Sequence, residues 1–280
     1  DGITRAVSWQ AGSITSLHNE GSQAEAINNT GQVAGFYGAD GEDSHAFLWE
    51  SGTLTDLGTL GGAARIAYDI NGSAQIVGWS HTGSGIGAFL WETGDMVDIG
   101  VDFGGGNSQA RSINDAGDIA GFSQTDTATH AFLKRSDGSV TDLGTFGGHS
   151  FAYGLNNAGQ VVGMSSDSDT NQAAFLWEDG MMTDLNELIN PDSDWILINA
   201  QDINDAGQIV GSGYIDGQSR AFLLTPEEKV WTLMFYLDGD NDLEATYPPI
   251  LNQLERAADN PYVNVIVLWD GNEIGDSAYI

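Results

Sequence analysis

Apolar residues come in short runs, and the chain between them is polar and rich in glycine. Within the runs, β-branched and aromatic residues alternate with small ones, which predicts strands rather than helices. One nine-residue stretch recurs five times. It reads Ile27-Asn28-Asn29-Thr30-Gly31-Gln32-Val33-Ala34-Gly35, and returns at 70–78, 113–121, 155–163 and 203–211. Four copies hold Asn and Gly three residues apart; the copy at 70–78 has Ala74 in place of the first Gly. Asn starts a turn by bonding its own backbone and Gly supplies a positive φ, so each copy predicts a hairpin.

A second anchor keeps the same beat. Ala6-Val7-Ser8-Trp9 returns as Ala46-Phe47-Leu48-Trp49, Ala88-Phe89-Leu90-Trp91, Ala131-Phe132-Leu133-Lys134, Ala174-Phe175-Leu176-Trp177 and Ala221-Phe222-Leu223-Leu224. The steps between these alanines are 40, 42, 43, 43 and 47 residues, the period of an array of small supersecondary units. The second unit offers strands at 46–50, 53–57, 66–70 and 75–79. Four strands per unit predict a mainly β protein, a repeat β-propeller with about five visible four-stranded blades. A parallel β-solenoid is the runner-up, but its coils are shorter and lack hairpin turns at this spacing. The units run 1–44, 45–86, 87–129, 130–172 and 173–219, with a closing strand at 220–224. Together they make a domain over 1–225.

Composition sets further bounds. The 280 residues are enough for a sizeable core and two domains. The apolar runs are too short for membrane insertion. The absence of Cys removes disulfides and thiolate metal sites. Forty acidic residues against eight basic ones give a net charge of −32. That repels nucleic acid and anionic membranes and favours cations and basic partners. The acidic loops at 40–43 and 167–169 are candidate calcium sites, against a plain reading as solvated surface. The chain opens on Asp1 inside a blade-like strand, without an initiator Met or signal peptide, and reads as a piece of a longer protein.

His45 and His130 share one repeat position, while His18, His81 and His149 are scattered. None has metal-ligand spacing, so they read as structural. Trp9, Trp49, Trp91 and Trp177 sit inside the apolar anchor strand and read as core rather than as a sugar-stacking platform.

The triplets His45-Ala46-Phe47 and His130-Ala131-Phe132, the Asp-Leu-Gly-Thr turns at 56–59 and 142–145, and the Ile-Asn-x-x-Gly hairpins resemble the HAF extracellular repeats of bacteria and archaea. The resemblance spans residues 4–225. It implies a secreted or surface-exposed β-rich array and assigns no catalytic residue.

After Pro226 the pattern breaks. Residues 226–229 form a polar linker. Residues 230–237 are continuously apolar, 243–258 have helical spacing, and 264–269 are apolar again. Strand, helix, strand predicts a βαβ crossover opening an α/β domain at 230–280, cut short at Ile280. The run 231–244, with 264–268 downstream, resembles the start of clostripain-type cysteine peptidases, which have a caspase-like α/β fold. This second resemblance covers 229–280. It implies a secreted endopeptidase that cleaves after basic residues, often with calcium. The family's catalytic His and Cys lie on later strands. No Cys and no His beyond His149 is present, so no catalytic residue is assigned in this segment. Asp238, Asp240, Asn241 and Asp242 form an acidic turn where α/β sheets bind ligands, a candidate active-site edge or cation site. The alternative is a connection in which an Asp caps the following helix.

Taken together, the sequence predicts a fragment of an extracellular or cell-surface cysteine endopeptidase with an N-terminal binding propeller. Its expected partners are a protein or peptide substrate and a cell-surface polymer; calcium is the one cofactor in view. The competing class is a non-enzymatic adhesion propeller with an inactive α/β domain. A propeller glycosidase or lyase is weaker, because no acid pair stands out from the repeating Asp positions.

Overall fold

The structure is a computed structural model that describes residues 2–10, 12–38 and 43–226, and strands at 231–238, 263–270 and 277–279. The chain divides into two compact units, Asp1–Leu224 and Thr225–Ile280.

In the first unit the hairpin β1 (Val7–Gln10) and β2 (Ser13–Ser16) comes first. Four antiparallel sheets of four strands follow. The first is β3 (Ser22–Ile27), β4 (Val33–Tyr37), β5 (His45–Glu50) and β6 (Thr53–Asp56). The second is β7 (Arg65–Ile70), β8 (Ile76–His81), β9 (Ile86–Glu92) and β10 (Asp95–Asp98). The third is β11 (Gly104–Ile113), β12 (Ile119–Thr125), β13 (Thr129–Lys134) and β14 (Val140–Asp142). The fourth is β15 (Ser150–Leu155), β16 (Val161–Ser166), β17 (Gln172–Glu178) and β18 (Met181–Asp184). A three-stranded sheet, β19 (Ile196–Ile203), β20 (Ile209–Ile215) and β21 (Gln218–Leu224), ends the array. Antiparallel pairing throughout excludes the parallel solenoid.

Each sheet packs face to face on the next. The anchor strands supply the filling. Phe47, Phe89, Phe132 and Phe175 are wholly buried, each beside an alanine that is wholly buried too. Burying one such ring stabilises by about 1.5–3 kcal/mol, and a small neighbour lets it lie flat between two sheets. The architecture is a β-propeller, with β3, β7, β11, β15 and β19 innermost.

The sheets do not coincide with the sequence units. Unit 45–86 gives β5 and β6 to one sheet and β7 and β8 to the next. The glycine turn at 56–62, expected within the unit 45–86, belongs to the crossover from β6 of one blade to β7 of the next. Its Asp-Leu-Gly start curls the chain out of the sheet: Gly58 N donates to Asp56 Oδ1 at 2.8 Å, as Gly100 N does to Asp98 and Gly144 N to Asp142. A period fixes the number of blades and leaves their phase open. The count of five four-stranded blades is therefore corrected to four such sheets, one of three strands and one two-stranded hairpin, among the described residues.

The array has an open seam between its first and last sheets. Ile27 is 69 % exposed, whereas Ile70, Ile113, Leu155 and Ile203 at the same position are 5–6 % exposed. On the other lip Val210 is 45 % exposed, against 0 % for its counterparts Ala34, Val77, Ala120 and Val162. Trp9, read as core, is 71 % exposed for the same reason, while Trp91 and Trp177 are buried as expected. The hairpin of β1 and β2 packs on the β3–β6 sheet as the outer half of a blade.

In the second unit β22 (Trp231–Asp238) pairs in parallel with β23 (Val263–Asp270), and β24 (Ser277–Tyr279) adds to β23 antiparallel. The two apolar runs form the strands expected of them; β24 was not foreseen. The expected helix at 243–258 and linker residues 227–229 lie outside the described residues. What is described of this unit is strand alone, so a caspase-like α/β unit is not among it. Among the described residues no helix is long and apolar enough to cross a membrane.

Candidate functional site

The five recurrent asparagines converge at one end of the propeller axis, around a cavity of about 450 Å³. Each does two jobs. Its Oδ1 closes its own turn: Asn114 Oδ1 accepts from Ala116 N at 3.1 Å and Asp118 N at 2.9 Å. Its Nδ2 crosses to the next blade and donates to that blade's Asn carbonyl. Asn28 reaches Asn71 O at 3.0 Å, Asn71 reaches Asn114 O at 3.0 Å, Asn114 reaches Asn156 O at 3.1 Å and Asn156 reaches Asn204 O at 3.1 Å. Asn204 stands at the seam, where its Nδ2 donates to Gln208 Oε1 of its own hairpin. The neighbouring position repeats the pattern, with Asp115 N donating to Asn157 Oδ1 and Asn157 N to Asp205 Oδ1, both at 2.9 Å.

Below this collar every innermost strand carries a β-bulge at the same place. The register shifts fall between Ala24 and Ala26, Ala67 and Asp69, Ala110 and Ser112, Ala152 and Gly154, and Ala200 and Asp202. The skipped residues are Glu25, Tyr68, Arg111, Tyr153 and Gln201. All five line a second cavity of about 420 Å³, with Asp69, Ser112 and Asp202 beside them. A bulge re-aims a side chain and is favoured beside functional sites. Five in register form a belt of mixed chemistry, two tyrosines among them, on a repeated frame. The second Gly of each hairpin makes room for it. A Cβ on Gly35 would meet Gln23 O at 2.1 Å, and one on Gly121 would meet Gln109 O at 2.1 Å.

Arg111 dominates the belt. Its guanidinium lies 3.8 Å above the Tyr68 ring centroid and 5.7 Å from that of Tyr153. It has no hydrogen bond or ion pair to a described residue, so its planar fork of N–H donors is unspent. Tyr68 is itself fixed, its hydroxyl accepting from Trp79 Nε1 at 3.1 Å. Burial pushes the Tyr153 hydroxyl pKa up, against the pull of Arg111. Burial also raises Glu25, outweighing its bond from Gln23 and the charge of Arg111. Asp69 is raised by burial despite bonds from Ile113 N at 2.9 Å, Ile70 N at 2.8 Å and Ser112 Oγ at 3.0 Å. Asp202 holds the matching place at the seam. Its Oδ1 accepts from Ile203 N at 2.8 Å, and its Oδ2 has no hydrogen bond among the described residues. The lining groups are one guanidinium, two tyrosine rings, three carboxyls, a glutamine amide and a serine hydroxyl, with Ala26 and Ile27.

The residues singled out in the sequence lie elsewhere. Asp238 ends β22 and pairs with Asp270, which ends β23; Asp240, Asn241 and Asp242 lie outside the described residues. In the 167–169 loop, Asp167 is spent on its own turn, accepting from Asp169 N, Asn171 N and Asn171 Nδ2 at 2.8–2.9 Å. Of the 40–43 loop only Asp43 is described. Among the described residues no three His, Asp or Glu side chains are grouped to hold a metal. His45 and His130 each sit against the Asp of the following turn, at 2.7 Å from Asp56 and 2.8 Å from Asp142. The belt was missed in the sequence. Its signal was the second Gly, a glycine inside a strand pattern that marks a bulge or a close backbone approach.

No protein-family model matches the chain, and no curated protein does. Solved structures share its fold. TolB from Acinetobacter baumannii aligns over 76 % of this chain with a TM-score of 0.52 and 11 % identity. A protein described as putative TolB from Agrobacterium tumefaciens aligns over 71 % of this chain and 72 % of its own, with a TM-score of 0.49 and 15 % identity. An acylaminoacyl peptidase from Pyrococcus horikoshii aligns over 78 % of this chain and 35 % of its own, with a TM-score of 0.42 and 14 % identity. The chain spans 54 % of the length of the Acinetobacter protein. At 11 % identity the likeness to the Acinetobacter protein is one of fold alone, in keeping with the propeller.

Proposed function

We propose that the propeller is the binding module of a secreted protein whose α/β domain begins at β22. The observation that carries this is the belt: five bulges at one repeat position turn a glutamate, an arginine, a glutamine and two tyrosines into one axial cavity. A purely structural repeat would keep that position uniform. For the α/β domain we infer a clostripain-like cysteine peptidase. The supports are the resemblance of the run 231–244 and the parallel pairing of β22 with β23 over eight residues, which places Asp238 and Asp270 side by side at the strand ends where such sheets bind ligands. On this reading the propeller holds a protein or peptide at the cell surface and the downstream thiol cleaves it.

The test of the peptidase half is the coding sequence beyond Ile280. A His and a Cys, each directly after an apolar strand run, are expected there. The protein extended to include them should hydrolyse arginyl peptides and lose that activity to a thiol alkylator. A downstream sequence without Cys removes the peptidase and leaves the adhesive propeller.

A further inference from the structure

We propose that the belt cavity binds the C-terminal residue of a peptide ending in lysine or arginine. The proposal rests on the binding role of the propeller given above and names its ligand. The walls of the cavity carry charge of both signs in separate places. Arg111 comes from the middle blade. Glu25 and Asp202 come from the first and last blades, which flank the seam. Blades follow one another in order around the axis, so the guanidinium and these two carboxylates come from different walls, with Glu25 near enough to feel the charge of Arg111 and the third carboxylate, Asp69, already bonded to Ser112 and Ile113. A ligand that satisfies both sides has a carboxylate at one end and a cation at the other.

The Arg111 fork fits a carboxylate. Stacking on Tyr68 orients its plane, and its donors have no acceptor among the described residues; a bidentate pair with a planar carboxylate uses both facts. The seam wall fits an ammonium or guanidinium. Among the described residues Asp202 Oδ2 has no donor, whereas its counterpart Asp69 has spent Oδ2 on Ser112 and Ile113. Tyr153 lines the space between them, giving an aliphatic stem a ring face to lie on. About 420 Å³ lies in the range of small-ligand sites. Net charge separates this ligand from a simple anion. At −32 the molecule repels polyanions from Arg111 and draws cationic peptides towards it.

The experiment is calorimetric titration of the full 280-residue chain, at low salt, with Ala-Ala-Lys as free acid, the same peptide as C-terminal amide, Ala-Ala-Ala as free acid, and a random tripeptide pool. The free-acid lysyl peptide is expected to bind, with at least a ten-fold loss for the amide and for the alanyl peptide. Arg111→Met should remove the preference for the free acid, and Asp202→Asn the preference for lysine, with each variant unfolding at the temperature of the parent. Arg111→Lys keeps the charge without the fork and should fall between parent and Arg111→Met. Equal binding of acid and amide, or an Arg111→Met variant that binds as the parent does, overturns the ligand assignment. If other pool members bind in an Arg111-dependent way and the lysyl peptide does not, the ligand class fails and the binding role stands. If nothing in the pool binds, both fail.

Discussion

Ala74 is where a side chain meets a backbone built for glycine. Its φ is 60°, in the region that Gly31, Gly117, Gly159 and Gly207 occupy at 73–81°. An L-residue pays about 1 kcal/mol there, partly offset by the greater freedom glycine has when unfolded. Ala74→Gly should therefore raise the urea midpoint, by an amount equivalent to roughly 0.5–1 kcal/mol; an unchanged or lower midpoint would remove the strain argument. Asp56 is a second single-residue case. Burial alone would raise its carboxyl, but bonds from His45, Gly58 N, Tyr37 and Arg65 hold it down at about 2. The same cluster lifts the Tyr37 hydroxyl to about 12, through burial first and then through Asp56. The sign follows. A carboxyl with a depressed folded pKa contributes stability that is complete above its ordinary range near 4 and vanishes as pH falls through about 2. Unfolding midpoints between pH 5 and pH 2 should drop more steeply for the parent than for Asp56→Asn. The buried Arg65 guanidinium joins the cluster from the next blade, donating to Asp56 Oδ2 at 2.9 Å, so this titration reports on how two blades are joined.

At the scale of the hairpin, the asparagines tie blade to blade. Asn114→Ala removes a buried turn closure together with the bond to Asn156 O, and should cost about 2–4 kcal/mol. Asn204→Ala removes the turn closure alone, because its Nδ2 stays within its own hairpin, and should cost about 1 kcal/mol. Equal losses by chemical denaturation would mean that the cross-blade bonds contribute nothing. Gly121→Ala puts a Cβ 2.1 Å from Gln109 O and should destabilise by more than about 3 kcal/mol, since strand and bulge must both move. A second hairpin device varies in a telling way. Gln32, Gln75 and Gln160 donate to Glu50, Glu92 and Glu178 at 2.7–3.0 Å. The third hairpin has Asp118 instead, and an arginine, Arg135, replaces the Glu to meet it at 2.8 Å. Much of this scale was legible in the sequence, because Asn, Gly and the apolar pairs act through local turn chemistry and period-two burial. The grouping of strands into sheets was not, since nothing within one repeat says which of its two hairpin connections leaves the sheet. The belt was hidden for a related reason. Glu25, Tyr68, Arg111, Tyr153 and Gln201 share no common chemistry beyond the two tyrosines, and only the bulge shows that all five share a place.

For the whole molecule, the seam and the net charge decide the behaviour. Ile27→Asn at the seam should change stability by less than about 1 kcal/mol, while Ile113→Asn, the same change at a closed joint, should cost about 3 kcal/mol or more. Comparable losses would mean that something covers the seam in solution. A charge of −32 repels itself, so added sodium chloride should raise the melting temperature steadily. The offset between sequence repeat and sheet carries a consequence for how such a protein can change over generations. Gene duplication copies the repeat as written, from any point in its period to the same point in the next. Because a copied unit donates one hairpin to each of two sheets, and its asparagine both receives from one neighbour and gives to the other, an added or lost unit rejoins cleanly on both sides. The array can lengthen or shorten by whole units without any new contact having to evolve. Each unit's belt residue can meanwhile drift on its own, so that duplication supplies the frame and point mutation rewrites the pocket.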